Sequence, residues 1–93
     1  MPVSALEHLV LDLLSAQSSA YGLELVAASR GRLKRGSIYV TLGRMEQKGL
    51  VTSRLEGEPG EGPPRRIYEP TALGLRALVV SHLIASVPLG LQR

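Results

Sequence analysis

Apolar positions along this chain change their spacing several times, and each change marks an element. Leu6, Leu9, Val10, Leu13 and Leu14 recur on one helical face, while His8, Asp12 and Ser15 fall opposite. Ser4 with Glu7 three positions later has the spacing of a capping box, so a first helix is expected over about residues 5 to 16. The polar run Gln17-Ser18-Ser19 interrupts it. Ser18 or Ser19 then caps a second, short helix in which Tyr21, Leu25 and Ala28 share a face, ending before Gly31.

The third pattern is the most informative. Ile38, Leu42 and Met45 repeat at intervals of four and three, and Gly49 supplies a stop just after Lys48. At roughly 100° per residue, the opposite face holds Ser37, Val40, Gly43, Arg44 and Gln47. Gly36 stands at the entrance, with Lys34 and Arg35 just before or within the first turn.

Beyond Gly49 the period falls to two in Leu50-Val51-Thr52-Ser53-Arg54-Leu55-Glu56, and an extended segment returns at Arg66-Ile67-Tyr68-Glu69. These read as a β-hairpin. Between them, Gly57 to Pro64 contains three glycines and three prolines, which disfavour both helix and strand interior and mark a loop, the candidate wing. Thr71 caps a last helix from about Ala72 to Ser86, before Pro88 and Gly90. Its apolar residues are not confined to one stripe. Leu73, Ala77, Val80 and Ile84 form one face, expected to meet the domain's core, and Leu75, Val79 and Leu83 lie on another. A helix apolar nearly all round needs two burial surfaces. In so short a chain the second is most simply supplied by another copy, so Leu75, Val79 and Leu83 are the expected dimerisation residues.

The order is three helices, two strands with a Gly/Pro-rich loop between them, and a final helix. The expected fold is therefore mainly α with a small β-hairpin: a winged helix-turn-helix with a two-stranded wing and a C-terminal dimerisation helix. Residues 1–70 form the expected DNA-binding domain, and residues 71–93 the dimerisation helix and tail of the same compact unit.

Charge sharpens this picture. The net charge is a modest +3, but all of the eleven Lys and Arg residues except Arg76 and Arg93 lie between Arg30 and Arg66. From Arg30 to Lys48 there are six basic residues (Arg30, Arg32, Lys34, Arg35, Arg44 and Lys48) against one acid, Glu46. Such asymmetry points to a polyanion. On the outer face of the third helix, Arg44 suits a guanine edge, Gln47 an adenine, Ser37 a base or phosphate, and Val40 a thymine methyl. Lys34 and Arg35, at the positive end of the helix, suit phosphates, and Gly36 and Gly43 permit close backbone approach. Tyr39 lies between the core face and the outer face, its ring placed to pack and its hydroxyl to meet a phosphate. Arg65 and Arg66 at the loop exit are expected to touch DNA, whereas Glu58 and Glu61 near its tip would repel it.

Other chemistries find little footing. The chain has no cysteine, and its two histidines, His8 and His82, are far apart in sequence, so neither a thiol nucleophile nor a metal site is expected. No cofactor is implied. Gly31 to Gly36 has the glycine spacing of a phosphate loop, but Ser37 follows where a lysine is needed. Neither a signal sequence nor an apolar stretch of membrane-spanning length is evident, and a cytoplasmic location is expected. Three tyrosines without Trp or Phe leave scant aromatic surface for a planar small-molecule effector, so a pocket between protomers has no support in the sequence. The rival to DNA is an acidic protein bound by the same basic helix, which would make the domain a winged-helix interaction module.

Three stretches resemble the PadR-like transcriptional regulators, and the similarity runs from Leu9 to Leu78. Ser19-Ala20-Tyr21-Gly22-Leu23-Glu24-Leu25 is similar to that family's Tyr-Gly-x-Glu-Leu at the start of its second helix. Arg35 to Glu46 resembles its recognition helix, and leads into Gly49-Leu50-Val51. Gly62 to Tyr68, with Thr71 and Gly74, resembles the wing exit and the cap of the last helix. The resemblance implies a dimeric repressor bound to a pseudo-palindromic operator, with contacts at Ser37, Tyr39, Arg44, Arg65 and Arg66. Two positions depart from the pattern: Val40 stands where the family commonly has Pro, and Arg35 where Pro often precedes the Gly.

Overall fold

The capping box at Ser4 closes in both directions. The Glu7 backbone N–H donates to Ser4 Oγ (3.1 Å), and the Ser4 N–H donates to Glu7 Oε1 (2.9 Å). It opens α1 (Ala5–Gln17) in the computed structural model, which describes residues 3–86. Within α1 the buried positions are Glu7, Leu9, Val10, Leu11 and Leu14, so the core face is turned by one position from the one expected. Leu6 is exposed and Leu11 is sealed. The run from Leu9 to Leu14 is apolar at every place but Asp12, and such a run fits either setting of the face.

Neither Ser18 nor Ser19 caps the second helix. Ser18 instead ends α1 with φ +70°, its N–H donating to Leu14 O at 2.8 Å. A two-residue strand follows, β1 (Ala20–Tyr21), and then α2 (Gly22–Ala28). Here the reach-back comes from Glu24, whose Oε1 accepts the Tyr21 N–H at 2.7 Å. The turn after α2 is stitched by buried Ser29, whose hydroxyl donates to Val26 O (2.8 Å) and accepts from the Leu33 N–H (2.9 Å). Leu33 is buried and pins the segment, leaving Arg30, Arg32, Lys34 and Arg35 outside.

The third helix, α3 (Ile38–Gln47), buries Ile38, Leu42 and Met45, as its spacing requires. It ends at Gly49, φ +77°, a left-handed backbone that glycine adopts without a Cβ penalty. The strands β2 (Val51–Glu56) and β3 (Arg65–Pro70) pair antiparallel, with Ser53 opposite Tyr68 and Glu56 opposite Arg65. The sheet is not the expected two-stranded hairpin, because β1 joins the other edge of β3, placing Ala20 opposite Tyr68 in the order β1-β3-β2. Two residues are too few to show a period of two.

The last helix, α4 (Ala72–Ser86), starts where Thr71 predicts: Thr71 Oγ1 accepts the Gly74 N–H at 3.0 Å and donates to Gly49 O at 2.5 Å. Its inner line is not Leu73, Ala77, Val80 and Ile84. Gly74 and Leu78 are buried and Ala77 half-buried, while Leu73, Val80 and Ile84 are exposed beside Leu75, Val79 and Leu83. The cause is steric. A Cβ on Gly74 would collide with the Leu50 carbonyl oxygen and would touch Leu11 Cδ2 at 3.0 Å, so α4 approaches the body on its one bare position. Pro88 and Gly90, expected beyond the end of this helix, lie outside the described residues.

Two long-range side-chain contacts join distant helices. Lys48 Nζ, at the end of α3, donates to both Glu7 oxygens at 2.9 Å. Glu7 is sealed, its side chain 5% exposed against 35% for Lys48. Burial would raise the Glu7 carboxyl, but the Ser4 N–H and the Lys48 ammonium outweigh it and hold the group below its ordinary value of 4.5. His8 and His82, remote in sequence, meet with ring centroids 5.1 Å apart, and His82 Nε2 lies 3.8 Å from Asp12 Oδ1. Among the described residues no group of three or more His, Cys, Asp and Glu is disposed to hold a metal ion.

Two outcomes follow for stability. Lys48→Ala strands a buried carboxylate and should cost about 1–3 kcal/mol at neutral pH in urea unfolding. Because the folded Glu7 pKa lies below the unfolded one, the difference between the two proteins should be full above 4.5 and vanish as pH falls through the folded value. A gap that persists in acid would assign the loss to lysine packing. Gly74→Ala adds helix propensity worth about 1 kcal/mol, yet the collision with the Leu50 carbonyl should make the variant less stable by about 1–3 kcal/mol. A raised melting temperature would refute that reading of the contact.

Candidate nucleic-acid interface

The outward face of α3 is built by subtraction. With Ile38, Leu42 and Met45 turned inward, Ser37, Val40, Arg44 and Gln47 are left exposed and Gly43 half-exposed. Val40 is 56% exposed, an apolar side chain held in water on the middle of a polar face. A Cβ on Gly36 or on Gly43 would meet nothing within 4 Å. The fold itself therefore has no need of glycine at either place, although glycine inside a helix costs about 0.5–1 kcal/mol relative to alanine. Lys34 and Arg35 are exposed at the entrance, where the Ile38 N–H donates to Lys34 O at 3.0 Å and closes the first turn.

Tyr39 is 49% exposed and leans against the start of α2. Its ring lies over Gly22, where a Cβ would come within 2.7 Å of Tyr39 Cε1. Gly22 is thus the bed of that ring. A cleft of about 390 Å³ opens beside it, lined by Tyr21, Leu23, Glu24, Tyr39, Pro64, Arg65 and Arg66. Arg65 and Arg66 are consecutive on β3 and leave the strand on opposite faces. Arg65 lies over the Tyr21 ring, its guanidinium carbon 4.2 Å from the centroid. Arg66 Nη1 donates to Ser53 Oγ (3.0 Å), and Ser53 Oγ donates to Glu46 Oε2 (2.8 Å), which ties the wing to the last turn of α3. On that side of the sheet, burial and then the Glu46 carboxylate push the Tyr68 phenol above its ordinary value.

Of the expected contact residues, Lys34, Arg35, Gly36, Ser37, Tyr39, Val40, Arg44, Gln47, Arg65 and Arg66 are all exposed, and the structure brings Tyr39, Arg65 and Arg66 together around one cleft. Lys48 leaves the basic cluster, since it is bound to Glu7. Tyr21, Ser53 and Glu46 are the members that sequence reasoning missed. Tyr21 read as a core residue of a helix, and the strand pairing that places it beside Arg65 is a tertiary fact.

Helices α2 and α3 joined by residues 29–37, an exposed polar face on α3 and a small antiparallel sheet at its side define the winged helix-turn-helix class. The chain belongs to the transcriptional regulator PadR-like family, whose model matches residues 10–79. A PadR family transcription regulator from Clostridium difficile is 31% identical, with 83% of this chain and 82% of that one covered at a TM-score of 0.72. A PadR family regulator from Eggerthella lenta is also 31% identical, with 83% and 70% covered and a TM-score of 0.68. Bacillus subtilis PadR, solved in complex with operator DNA, shares the fold at a TM-score of 0.78 and 22% identity. That match covers 95% of this chain but 51% of the Bacillus protein. No curated protein matches the chain. Among the described residues, no helix is long and apolar enough to cross a membrane.

Proposed function

We propose that this chain is a homodimeric, cytoplasmic transcriptional repressor that binds a pseudo-palindromic operator and reads it with α3. The observation that carries the proposal is the outer face of that helix, where two glycines that the fold does not need sit among Ser37, Val40, Arg44 and Gln47. The operator complex of Bacillus subtilis PadR supports the same use of a shared fold.

In this reading Arg44 pairs with a guanine edge, Gln47 with an adenine, and Val40 packs on a thymine methyl. Ser37 meets a base or phosphate. Lys34 and Arg35, with the free N–H groups at the start of α3, hold backbone phosphates, and Gly36 and Gly43 let the groove wall come close. Arg65, Arg66 and the Tyr39 hydroxyl extend the backbone contact along the wing side. Residues 1–70 make up the DNA-binding domain, and residues from 71 onward serve dimerisation.

The dimer is supported by α4, which presents Leu75, Val79 and Leu83 to solvent at 41%, 56% and 61% exposure. A contiguous apolar face of this kind is rare on a monomer and normal at an interface. A pseudo-palindrome requires two α3 helices on one side of the particle, and in this reading a twofold pairing of α4 with its copy supplies them.

Selection of bound sequences from a random duplex pool tests the DNA reading and gives half-site and spacing together. Arg44→Ala should weaken operator binding by about 1–3 kcal/mol more than it weakens binding to random duplex. Lys34→Ala should weaken both alike and flatten the dependence on salt. Equal loss on both DNAs for Arg44→Ala would reduce that residue to a phosphate contact, and no duplex binding at low salt would transfer the basic face to a protein partner. For the interface, a Leu75→Glu, Val79→Glu double variant should sediment as a monomer. An unchanged dimer would move the interface to the Leu73, Val80 and Ile84 side of the helix.

A further inference from the structure

Four of the described lysines and arginines have side-chain partners, and the partners are of two kinds. Lys48 is clamped by the Glu7 carboxylate, and Arg54 by Glu69 (2.6 Å) and Glu56 (2.9 Å), so their charges are neutralised within the fold. Arg65 and Arg66 are also held, but by neutral groups. Arg65 rests on the face of the Tyr21 ring, and Arg66 donates to the Ser53 hydroxyl. A ring face attracts a guanidinium without consuming its N–H donors, which point outward from the plane. A hydroxyl takes one donor of five and no charge. Both arginines are thereby restrained while their charge stays available.

Restraint of Arg65 is not automatic at this place. A second hollow that Arg65 also lines includes the carboxylates of Glu56, Glu58 and Glu61, of which Glu56 is paired with Arg54. Among the described residues none of them forms an ion pair with Arg65; the ring holds it instead. Tyr21 is itself fixed from two directions, by β1 pairing opposite Ile67 and by the bond from its N–H to Glu24. One oxygen of the Glu24 carboxylate, which also lines the cleft, accepts that bond, and the group keeps its negative charge.

We propose that Tyr21 is a positioning residue for DNA: its ring holds Arg65 at the mouth of the Tyr39–Arg66 cleft, making one cradle for a backbone phosphate. Tyr39 contributes its hydroxyl from the α3 side, and Arg66, which also lines the cleft, is anchored on its own face of the strand by Ser53, itself bonded to Glu46. This rests on the DNA-binding reading above and adds to it a residue that touches no base and acts through another side chain. It assigns the wing's contribution to the base of the sheet, not to the loop tip.

The test measures binding of the full chain to a fluorescent random-sequence duplex, by anisotropy across a salt series, for wild type, Tyr21→Phe, Tyr21→Leu, Arg65→Ala, Arg54→Ala and the Tyr21→Leu, Arg65→Ala pair. Arg65→Ala should lower the slope of log affinity against log salt by about 0.9, the loss of one phosphate contact. Arg54→Ala should leave the slope as it was. Tyr21→Leu should weaken binding about two- to fivefold, the range for a partly exposed cation–π contact. Tyr21→Phe, which keeps the ring, should bind like wild type. In the Arg65→Ala background, Tyr21→Leu should have no further effect.

An equal loss in that background, or an equal loss for Tyr21→Phe, would make Tyr21 a structural residue and overturn the inference. So would unaltered binding by Tyr21→Leu, with the DNA reading left intact. Failure of the wild type to bind duplex at low salt overturns both together.

Discussion

The contact on which the arrangement turns is the one between Gly74 and the carbonyl of Leu50. Because position 74 carries no side chain, α4 settles against the backbone that links α3 to β2. The same joint is bonded twice more, by Thr71 Oγ1 to Gly49 O (2.5 Å) and by the Thr71 N–H to Leu50 O (3.1 Å). The end of the third helix and the beginning of the last are thus one rigid corner. Lys48, one residue before it, reaches across to Glu7 and ties the corner to the start of α1. A displacement of α3 relative to α4 has to break backbone bonds, not merely slide side chains. In the proposed dimer, the spacing between the two reading helices is therefore set by this joint.

That joint also explains why α4 keeps so much apolar surface outside. A helix docked on a bare glycine and a single leucine buries a narrow line, Gly74 and Leu78, with Ala77 at its edge. Both flanks stay exposed, Leu73, Val80 and Ile84 on one side and Leu75, Val79 and Leu83 on the other. Together with Val3 and Leu50, the first flank forms a shallow apolar groove along the body. Two exposed flanks on one helix double the surface that an oligomer has to cover, relative to the single flank that the sequence pattern led one to expect.

How far the sequence could be read depended on contrast. Helix α3 was legible because its inner residues are apolar and its outer ones are not, so periodicity alone separates core from surface. Periodicity fails in α4, where nearly every position is apolar, and in α1, where the run from Leu9 to Leu14 fits two settings. The choice there is made by Gly74 meeting a carbonyl far off in sequence, and by Glu7 finding Lys48 forty-one positions away. Strand β1 has two residues and no period to show, and it begins where a helix cap was expected. The candidate contact residues were legible as exposed polar positions on α3 and at the wing exit. What orients them was not, since Tyr21 and Ser53 come beside the arginines through strand pairing, and Glu46 through its bond with Ser53.

The wing illustrates how charge placement constrains a binding pose. Glu58 and Glu61 are exposed in the loop, where the Glu61 N–H donates to Glu58 O (3.1 Å) and folds the acidic tip into a turn. Arg65 and Arg66 stand at its root. A phosphate backbone approaching α3 meets attraction at the root and repulsion at the tip. The two effects act as a torque, drawing the base of the sheet toward the duplex and turning the loop away. A wing that inserts its tip into the minor groove needs the opposite polarity. In the proposed complex this wing therefore works as a buttress: it braces the backbone beside the groove that α3 reads, and sequence discrimination is left to the helix.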